Sequence, residues 1–277
     1  MSTLKTTNIQ HASAASAAIV LASDGSATAS LSSLNGGPLS GARNRILNGD
    51  MRIDQRNAGA TLTNAADGSW AVDRWVRYQN VGASTIGQNL NSVASINGIP
   101  NQLGIQITTA GTATSTQYTN FQHYIEGFNA ADLAWGTAGA QSITVSFWVR
   151  SSVTGTFSFA IQNATSNRGY AANYSISAAN TWEYKSVTIP GDTSGTWNTT
   201  NGRGIAIIFD LGNGSSFRST AGSWSGNNVQ GATGAVSLNQ TLNATWYITG
   251  VQLEAGSVAT PFERRSYGQE LALCQRY

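Results

Sequence analysis

From Asn44 onward, apolar and polar residues alternate in short runs interrupted by Gly, Asn and Asp, as in strands with one buried and one wet face. The clearest run is Ile143-Thr-Val-Ser-Phe-Trp-Val-Arg150. Ile143, Val145, Phe147 and Val149 share one face, and Thr144, Ser146, Trp148 and Arg150 take the other. Phe157-Ser-Phe-Ala-Ile-Gln162 repeats the period after a turn at Thr154-Gly155, which predicts a hairpin between the two runs. Further strands are predicted at Trp75–Tyr78, Leu103–Thr108, Phe121–Ile125, Tyr170–Ile176, Trp182–Ile189, Ile205–Leu211 and Trp246–Leu253. Ile205–Leu211 is almost continuously apolar, so it belongs at the centre of a sheet. Only Tyr267–Gln275 has a helical look, with Leu271, Cys274 and Tyr267 towards one side. About ten short strands with no amphipathic helix between them predict an all-β fold built as a two-sheet sandwich.

Residues 1–43 depart from this rhythm. They are rich in Ala, Ser, Thr and Gly, lack Phe, Tyr and Trp, and reach Leu34-Asn35-Gly36-Gly37-Pro38 near their end. Ala18-Ile19-Val20-Leu21, Asp24-Gly25 and Ala27 to Leu31 predict a small hairpin, too poor in bulky side chains to stand alone. The chain therefore divides into an N-terminal attachment segment (1–43), a β-sandwich (44–265) and a short C-terminal helix or tail (266–277). The attachment segment is expected to fold against another protein or sister chains, the other reading being a disordered tail.

Composition narrows the function. Of 277 residues only 10% are charged, against roughly 25% in ordinary soluble domains, so Ser, Thr, Asn and Gln must build the polar surface. Such neutral surfaces suit extracellular and virion β-proteins. A net charge of +2, with no strong Lys/Arg cluster, argues against nucleic acid as a partner. The single cysteine, Cys274, excludes an intrachain disulfide framework and is expected to be a small buried hydrophobe. The most apolar N-terminal stretch, Ala14 to Ala22, is too short to span a bilayer and lacks the layout of a signal peptide. The expectation is a protein made in a host cytoplasm, without membrane insertion, and released by lysis.

Several longer motifs carry a family resemblance. Asn44-Arg-Ile-Leu-Asn-Gly-Asp-Met-Arg-Ile-Asp-Gln-Arg-Asn57 and Val72-Asp-Arg-Trp75 resemble the opening of a domain found in phage tail-fibre and other virion proteins. Ile248-Thr-Gly-Val-Gln-Leu-Glu-Ala-Gly-Ser257, Ala259-Thr-Pro-Phe-Glu-Arg-Arg265 and Tyr267–Tyr277 resemble its closing strand and tail. Ser146-Phe-Trp-Val-Arg150 and Asn180-Thr-Trp-Glu-Tyr-Lys185 match its middle, and Ser2–Gln10 looks like the start of tail-fibre proteins. The resemblance implies a jelly-roll β-sandwich similar to galactose-binding-like carbohydrate-binding modules. It also implies a virion location in a tail or fibre, homotrimeric assembly, and binding to a host-surface glycan. The competing reading is a structural capsid-decoration or neck-fibre protein without a ligand of its own.

Candidate chemistry is sparse. The two histidines, His11 and His123, lie outside any metal or nucleophile motif, and His123 is expected to be structural rather than a general base. The carboxylates Asp50, Asp54, Asp73, Glu126, Glu183 and Glu254 could supply a glycosidase pair only if two of them converged. No catalytic residue is assigned, and no cofactor is expected beyond a structural Ca²⁺. The jelly-roll resemblance implies such a site near Asp50 and Glu254, the other reading being salt bridges to Arg52, Arg56 or Arg264. Sugar sites combine an aromatic platform with neutral hydrogen-bonding partners. Trp75, Trp148, Trp182 and Trp246 lie in strand runs, where core or subunit packing is their expected role. Trp70, Trp135, Trp197 and Trp224 lie in Gly/Ser/Asn-rich loops. Trp135, Trp197 with Asn198, and Trp224 with Asn227 are therefore the glycan-binding candidates, with Asn201 and Asn228 as further polar partners. Capping of the sheet ends is the alternative role for each loop tryptophan.

Overall fold

Alternation along the chain becomes two facing sheets in the computed structural model, which describes residues 43–96 and 98–275, together with Asn8–Ile9, Ile19–Leu21, Ser23 and Ala27–Ala29. Near the N-terminus, β1 (Asn8–Ile9), β2 (Ile19–Leu21) and β3 (Ala27–Ala29) form a small antiparallel sheet with β2 in the middle. Ile19 pairs with Ala29 and Leu21 with Ala27, so the two strands are antiparallel as expected, in a register one residue away from that of a two-residue turn at Asp24-Gly25. The Asp24-Gly25 turn, Leu31 and the Leu34–Pro38 stretch lie outside the described residues.

The sandwich contains β4 (Ser69–Val72), β5 (Trp75–Gln79), β6 (Ala83–Gln88), β7 (Leu103–Thr109), β8 (Thr119–Glu126), β9 (Ile143–Ser151) and β10 (Gly155–Asn163). It continues with β11 (Gly169–Ile176), β12 (Glu183–Ile189), β13 (Arg203–Asp210), β14 (Arg218–Ser219), β15 (Trp224–Ser225), β16 (Gly231–Ala232) and β17 (Thr245–Ala255). One sheet has the order β15-β11-β10-β13-β8-β5-β4 and the other β12-β9-β17-β7-β6. Because the chain passes repeatedly between these sheets, the body is an all-β jelly-roll sandwich. β13 sits at the centre of its sheet, as its apolar run predicts. β4 and β6 escape sequence reading: Ser-Trp-Ala-Val is very short, and Ala-Ser-Thr-Ile-Gly-Gln carries a single large apolar residue.

One sequence expectation is corrected. β9 and β10 do not form a hairpin: β9 pairs with β12 and β17, while β10 pairs with β11 and β13 in the opposite sheet. Ser152 to Thr154 is a crossover, tied by the Ser152 amide to Thr245 O at 3.0 Å. Both strands alternate because both contribute an inner face, and those faces meet where Phe147 packs edge-on to Phe159 at 6.0 Å. Trp246, Phe209, Phe121, Tyr174 and the inward Ile and Val residues complete the core. A smaller cluster joins Ala160, Ala171, Ala206 and Ile208, on the outside of the seven-stranded sheet, to Val229 and Ala232 of the 212–235 loop that covers them. That loop is anchored by buried Asp210, which accepts the Arg218 guanidinium at 2.9 Å and the amides of Gly212 and Asn213.

The opening and closing motifs form a clasp on β17. Asn44 Nδ2 donates to Val251 O and its Oδ1 accepts the Leu253 amide, while Arg45 N donates to Leu253 O. The Val251 amide reaches Gly49 O, and a Cβ at Gly49 would lie 2.2 Å from Val251 O, so only glycine permits this approach. Asn48, at φ 54°, accepts the Ile53 amide and donates to the carbonyls of Ile53 and Asp73; its own amide donates to Glu270. Glu270 and Cys274 dock helix α1 (Tyr267–Gln275); Cys274 is buried as expected and Leu271 half-buried, whereas Tyr267 is 58% exposed. Burial, followed by the Glu270 charge, pushes the Cys274 thiol up to about 12, leaving it unreactive at neutral pH.

Asn48→Ala removes three buried hydrogen bonds and leaves an alanine in the left-handed region. It should lower unfolding free energy by about 3 kcal/mol, read as a shift of the urea midpoint at unchanged slope.

Candidate functional site

The three tryptophans meet one another: Trp135 is buried, Trp197 and Trp224 are half-buried, and Trp224, expected in a loop, lies in β15. Trp135 packs edge-on to Trp197 at 4.7 Å and to Trp224 at 5.3 Å, and Trp197 lies 5.6 Å from Trp224. Their indole N–H groups are all spent internally, on Gln141 O, on the Asp192 carboxylate and on Pro190 O. Arg168 grips Asp192 through two bonds of 2.8 and 2.6 Å and lies 5.9 Å above the Trp224 ring. The cluster thus caps one end of the sandwich, at roughly 0.5–1.5 kcal/mol per aromatic pair. Trp135, Trp197 and Asn198 still line a shallow cavity of 170 Å³, but Trp224 and Asn227 do not. Asn198 Oδ1 is engaged by Thr200, Asn227 donates to Ser225 Oγ, and Asn228 Oδ1 accepts from Gln162 and Gln230.

Counting indole N–H partners gives a different answer. Trp75, Trp182 and Trp246 also donate internally, to Asn48 O, Ala94 O and the Tyr174 hydroxyl. Among the described residues, the two tryptophans whose indole N–H finds no acceptor are Trp70 and Trp148. Both border cavities. Trp70, expected in a loop, lies in β4.

The Trp148 cavity is a groove of 590 Å³ on the outside of the five-stranded sheet. Trp148 points outward because Val145, Phe147 and Val149 point inward, and Tyr184 stands opposite it on β12. Their rings are 5.3 Å apart and inclined at 52°, and Tyr184 is 45% exposed. The floor is cut by a β-bulge between Thr249 and Gln252. Gly250, at φ 61°, occupies it, and a Cβ there would lie 2.9 Å from Ile99 and 3.4 Å from Trp148. Thr249 Oγ1 donates to Asn101 O at 2.6 Å and the Trp182 indole to Ala94 O, which hold the wall carrying Ile99. The opposite wall is Ala259 to Phe262, with Arg264 donating to Gly98 O at one end. The groove offers two tilted aromatic surfaces beside the Ser146 hydroxyl and a guanidinium. This arrangement receives a ring with apolar faces and a polar rim.

Glu254 and Gln252 seat the second wall. Glu254, fully buried, accepts the Thr260 amide at 2.9 Å, Thr260 Oγ1 at 2.7 Å and Gln252 Nε2 at 2.8 Å. Asp50 is held by Arg52 at 2.5 Å. Both carboxylates are thus committed to internal donors and share none of them, which does not fit the six to eight oxygen ligands of Ca²⁺. Among the described residues no group of three or more His, Cys, Asp and Glu side chains gathers as metal ligands.

His123 is fully buried in the core, its ring 5.0 Å from Trp75 and its Nε2 3.0 Å from Leu47 O. Glu126 pairs with Arg74, Glu183 with Lys185 at 2.6 Å, and Asp73 accepts from Gln55. Burial opposes ionisation of Asp192, yet Arg168 and the Trp197 indole outweigh it and hold its pKa below the ordinary value. These acids act as structural pegs. Among the described residues no helix is long and apolar enough to cross a membrane.

No protein-family model matches the sequence, and no curated protein matches it. Solved structures do. A protein of Bacteroides thetaiotaomicron VPI-5482 described as sugar binding is similar over 76% of this chain and 99% of its own, at 14% identity and a TM-score of 0.43. A solved family 4 carbohydrate-binding module (CBM4) is similar over 76% of this chain and 99% of its own, at 14% identity and a TM-score of 0.40. The enzymatically active domain of tailspike protein 4 of bacteriophage CBA120 is similar over 70% of this chain but only 21% of its own, at 14% identity and a TM-score of 0.37. These likenesses are too loose to transfer a ligand.

Burial, and then the Arg74 charge, push the His123 pKa down to about 3. The unfolded chain takes up a proton near pH 6.5 that the folded chain refuses. Stability is therefore complete above pH 6.5 and falls as pH drops towards 3, by up to about 1.4 kcal/mol per unit. Urea midpoints between pH 6.5 and 5 should fall in the native chain and flatten in His123→Phe. An imidazole titrating near 6.5 by NMR in the folded protein would contradict this.

Proposed function

We propose that the chain is a glycan-binding subunit of a phage particle, a tail-fibre or tail-tip protein that attaches through residues 1–43 and presents the sandwich to a host surface. The observation that carries the binding function is the outward Trp148–Tyr184 pair, whose indole N–H is unspent, on the floor of the 590 Å³ groove. The virion assignment draws on the resemblance of the 44–57, 72–75 and 248–277 motifs to tail-fibre domains. The committed carboxylates support adhesion rather than hydrolysis, which needs two acids flanking one bond.

In this reading the protein assembles as a homotrimer, so that individually weak sites act together through high effective concentration. Sugar rings lie against Trp148 and Tyr184, and Ser146 and Arg264 bond their hydroxyls. The groove is built by walls already fastened to the sheet, so little ordering accompanies binding.

Glycan-array screening of the purified chain should return neutral saccharide ligands. Trp148→Ala and Tyr184→Ala should each weaken them by about 1–3 kcal/mol, as loss of a stacking ring does, with the thermal midpoint little changed. A blank array together with normal incorporation into particles would favour a decoration or neck-fibre subunit without a ligand.

A further inference from the structure

The second tryptophan with an unspent indole N–H, Trp70, has surroundings of a different character. Together with Arg74 it lines both of two cavities, of 370 and 220 Å³, and Glu126, paired with Arg74, lines the smaller one. Arg56 lies over its ring at 5.4 Å and is exposed, with no ion pair or hydrogen bond among the described residues. In the smaller cavity Arg203 lies 5.4 Å over the Tyr124 ring, beside Asn201. Its Nη2 donates only to neutral oxygens, those of Asn163, Ala164 and Ser166. Of the nearby acids, Glu126 is neutralised by Arg74, and Asp73 is engaged by Gln55.

Two guanidinium groups without a carboxylate partner therefore flank one indole, in a chain with only 10% charged residues. Each is placed over an aromatic face; Arg203 spends Nη2 on three neutral oxygens but keeps Nε, Nη1 and its charge, and the exposed Arg56 keeps its whole planar N–H fork. A carboxylate matches that fork in two parallel charge-assisted bonds, while a sugar ring matches the aromatic surfaces beside it. The smaller cavity offers both together: Trp70 and Tyr124 for the ring, Asn201 for a hydroxyl, Arg203 for the acid. Arg56 adds its charge from the other side of the indole.

We infer that the Trp70 cleft is a second sugar subsite, selective for a pyranose bearing a carboxylate group. It goes beyond the Trp148 groove in place and in ligand chemistry, and the two stand or fall separately.

Titration calorimetry of the full chain with trigalacturonate, its methyl ester and inorganic phosphate tests this. The acid should bind roughly tenfold or more tightly than the ester, the scale of a lost charge-assisted pair, and should weaken as NaCl rises. Trp70→Ala and Arg203→Gln should abolish that preference, and the exposed Arg56→Ala should reduce it without affecting folding. Trp148→Ala should leave trigalacturonate binding unchanged, whatever it does to neutral saccharides. Equal affinity for acid and ester, or no binding of either, would overturn the inference. So would phosphate competing as well as the sugar acid, or Trp70→Ala binding like the native chain.

Discussion

Gln252 and Glu254 lie on the outer face of the five-stranded sheet, yet both are fully buried, and that is the constraint on which the shape of the molecule depends. An ionisable side chain removed from water needs its hydrogen bonds supplied, and the 259–263 chain supplies them: Thr260 bonds Glu254, and Glu263 N donates to Gln252 Oε1 at 2.8 Å. The same strap meets the opening segment through Glu263, which accepts the Asn44 amide, and through Arg265, which reaches the carbonyls of Asn44 and Ile46. One end of the sheet's outer face is closed by this knot. The other end, beyond the Gly250 bulge, is where Trp148 and Tyr184 remain uncovered.

Much of this was legible in the sequence, because two-residue periodicity reports which residues share a face. The alternation at 143–150 placed Trp148 opposite the apolar side, and that was the signal that could have marked it as a surface residue. Loop location says less: Trp135, Trp197 and Trp224 are distant in sequence, and nothing local shows that they converge. Whether an indole N–H is spent on Gln141 O or Pro190 O is decided by tertiary contacts. Partition of strands between sheets was equally hidden, since β9 and β10 have the same period whether they pair side by side or face each other across a core.

Scarcity of charge has a structural counterpart. Asp50, Asp192, Asp210, Glu126 and Glu270 each meet an arginine, and most of these pairs fasten one loop, turn or terminal segment to another part of the chain. Buried pairs of this kind add little net stability compared with apolar packing, but breaking one leaves an uncompensated charge. Their effect is to select one arrangement of long, weakly apolar loops that hydrophobic burial alone would leave undetermined. The 212–235 loop is the clearest case: beneath it lie mostly alanines, and Asp210 with Arg218 sets its position.

The two open aromatic sites follow from the same economy. With few charges available, a guanidinium that meets only an aromatic ring and neutral oxygens keeps capacity for an acidic partner, and an indole N–H without an acceptor keeps its capacity to donate. On one face of the sandwich an unspent indole coincides with Tyr184, Ser146 and Arg264, and on the other with Tyr124, Arg203 and Arg56. On a surface otherwise built from Ser, Thr and Asn, these accessible aromatic faces with donors beside them are where a ring-bearing ligand has most apolar contact to gain. The adhesion proposed above asks only for exposed rings and donors held in position, and leaves the acids to their structural work.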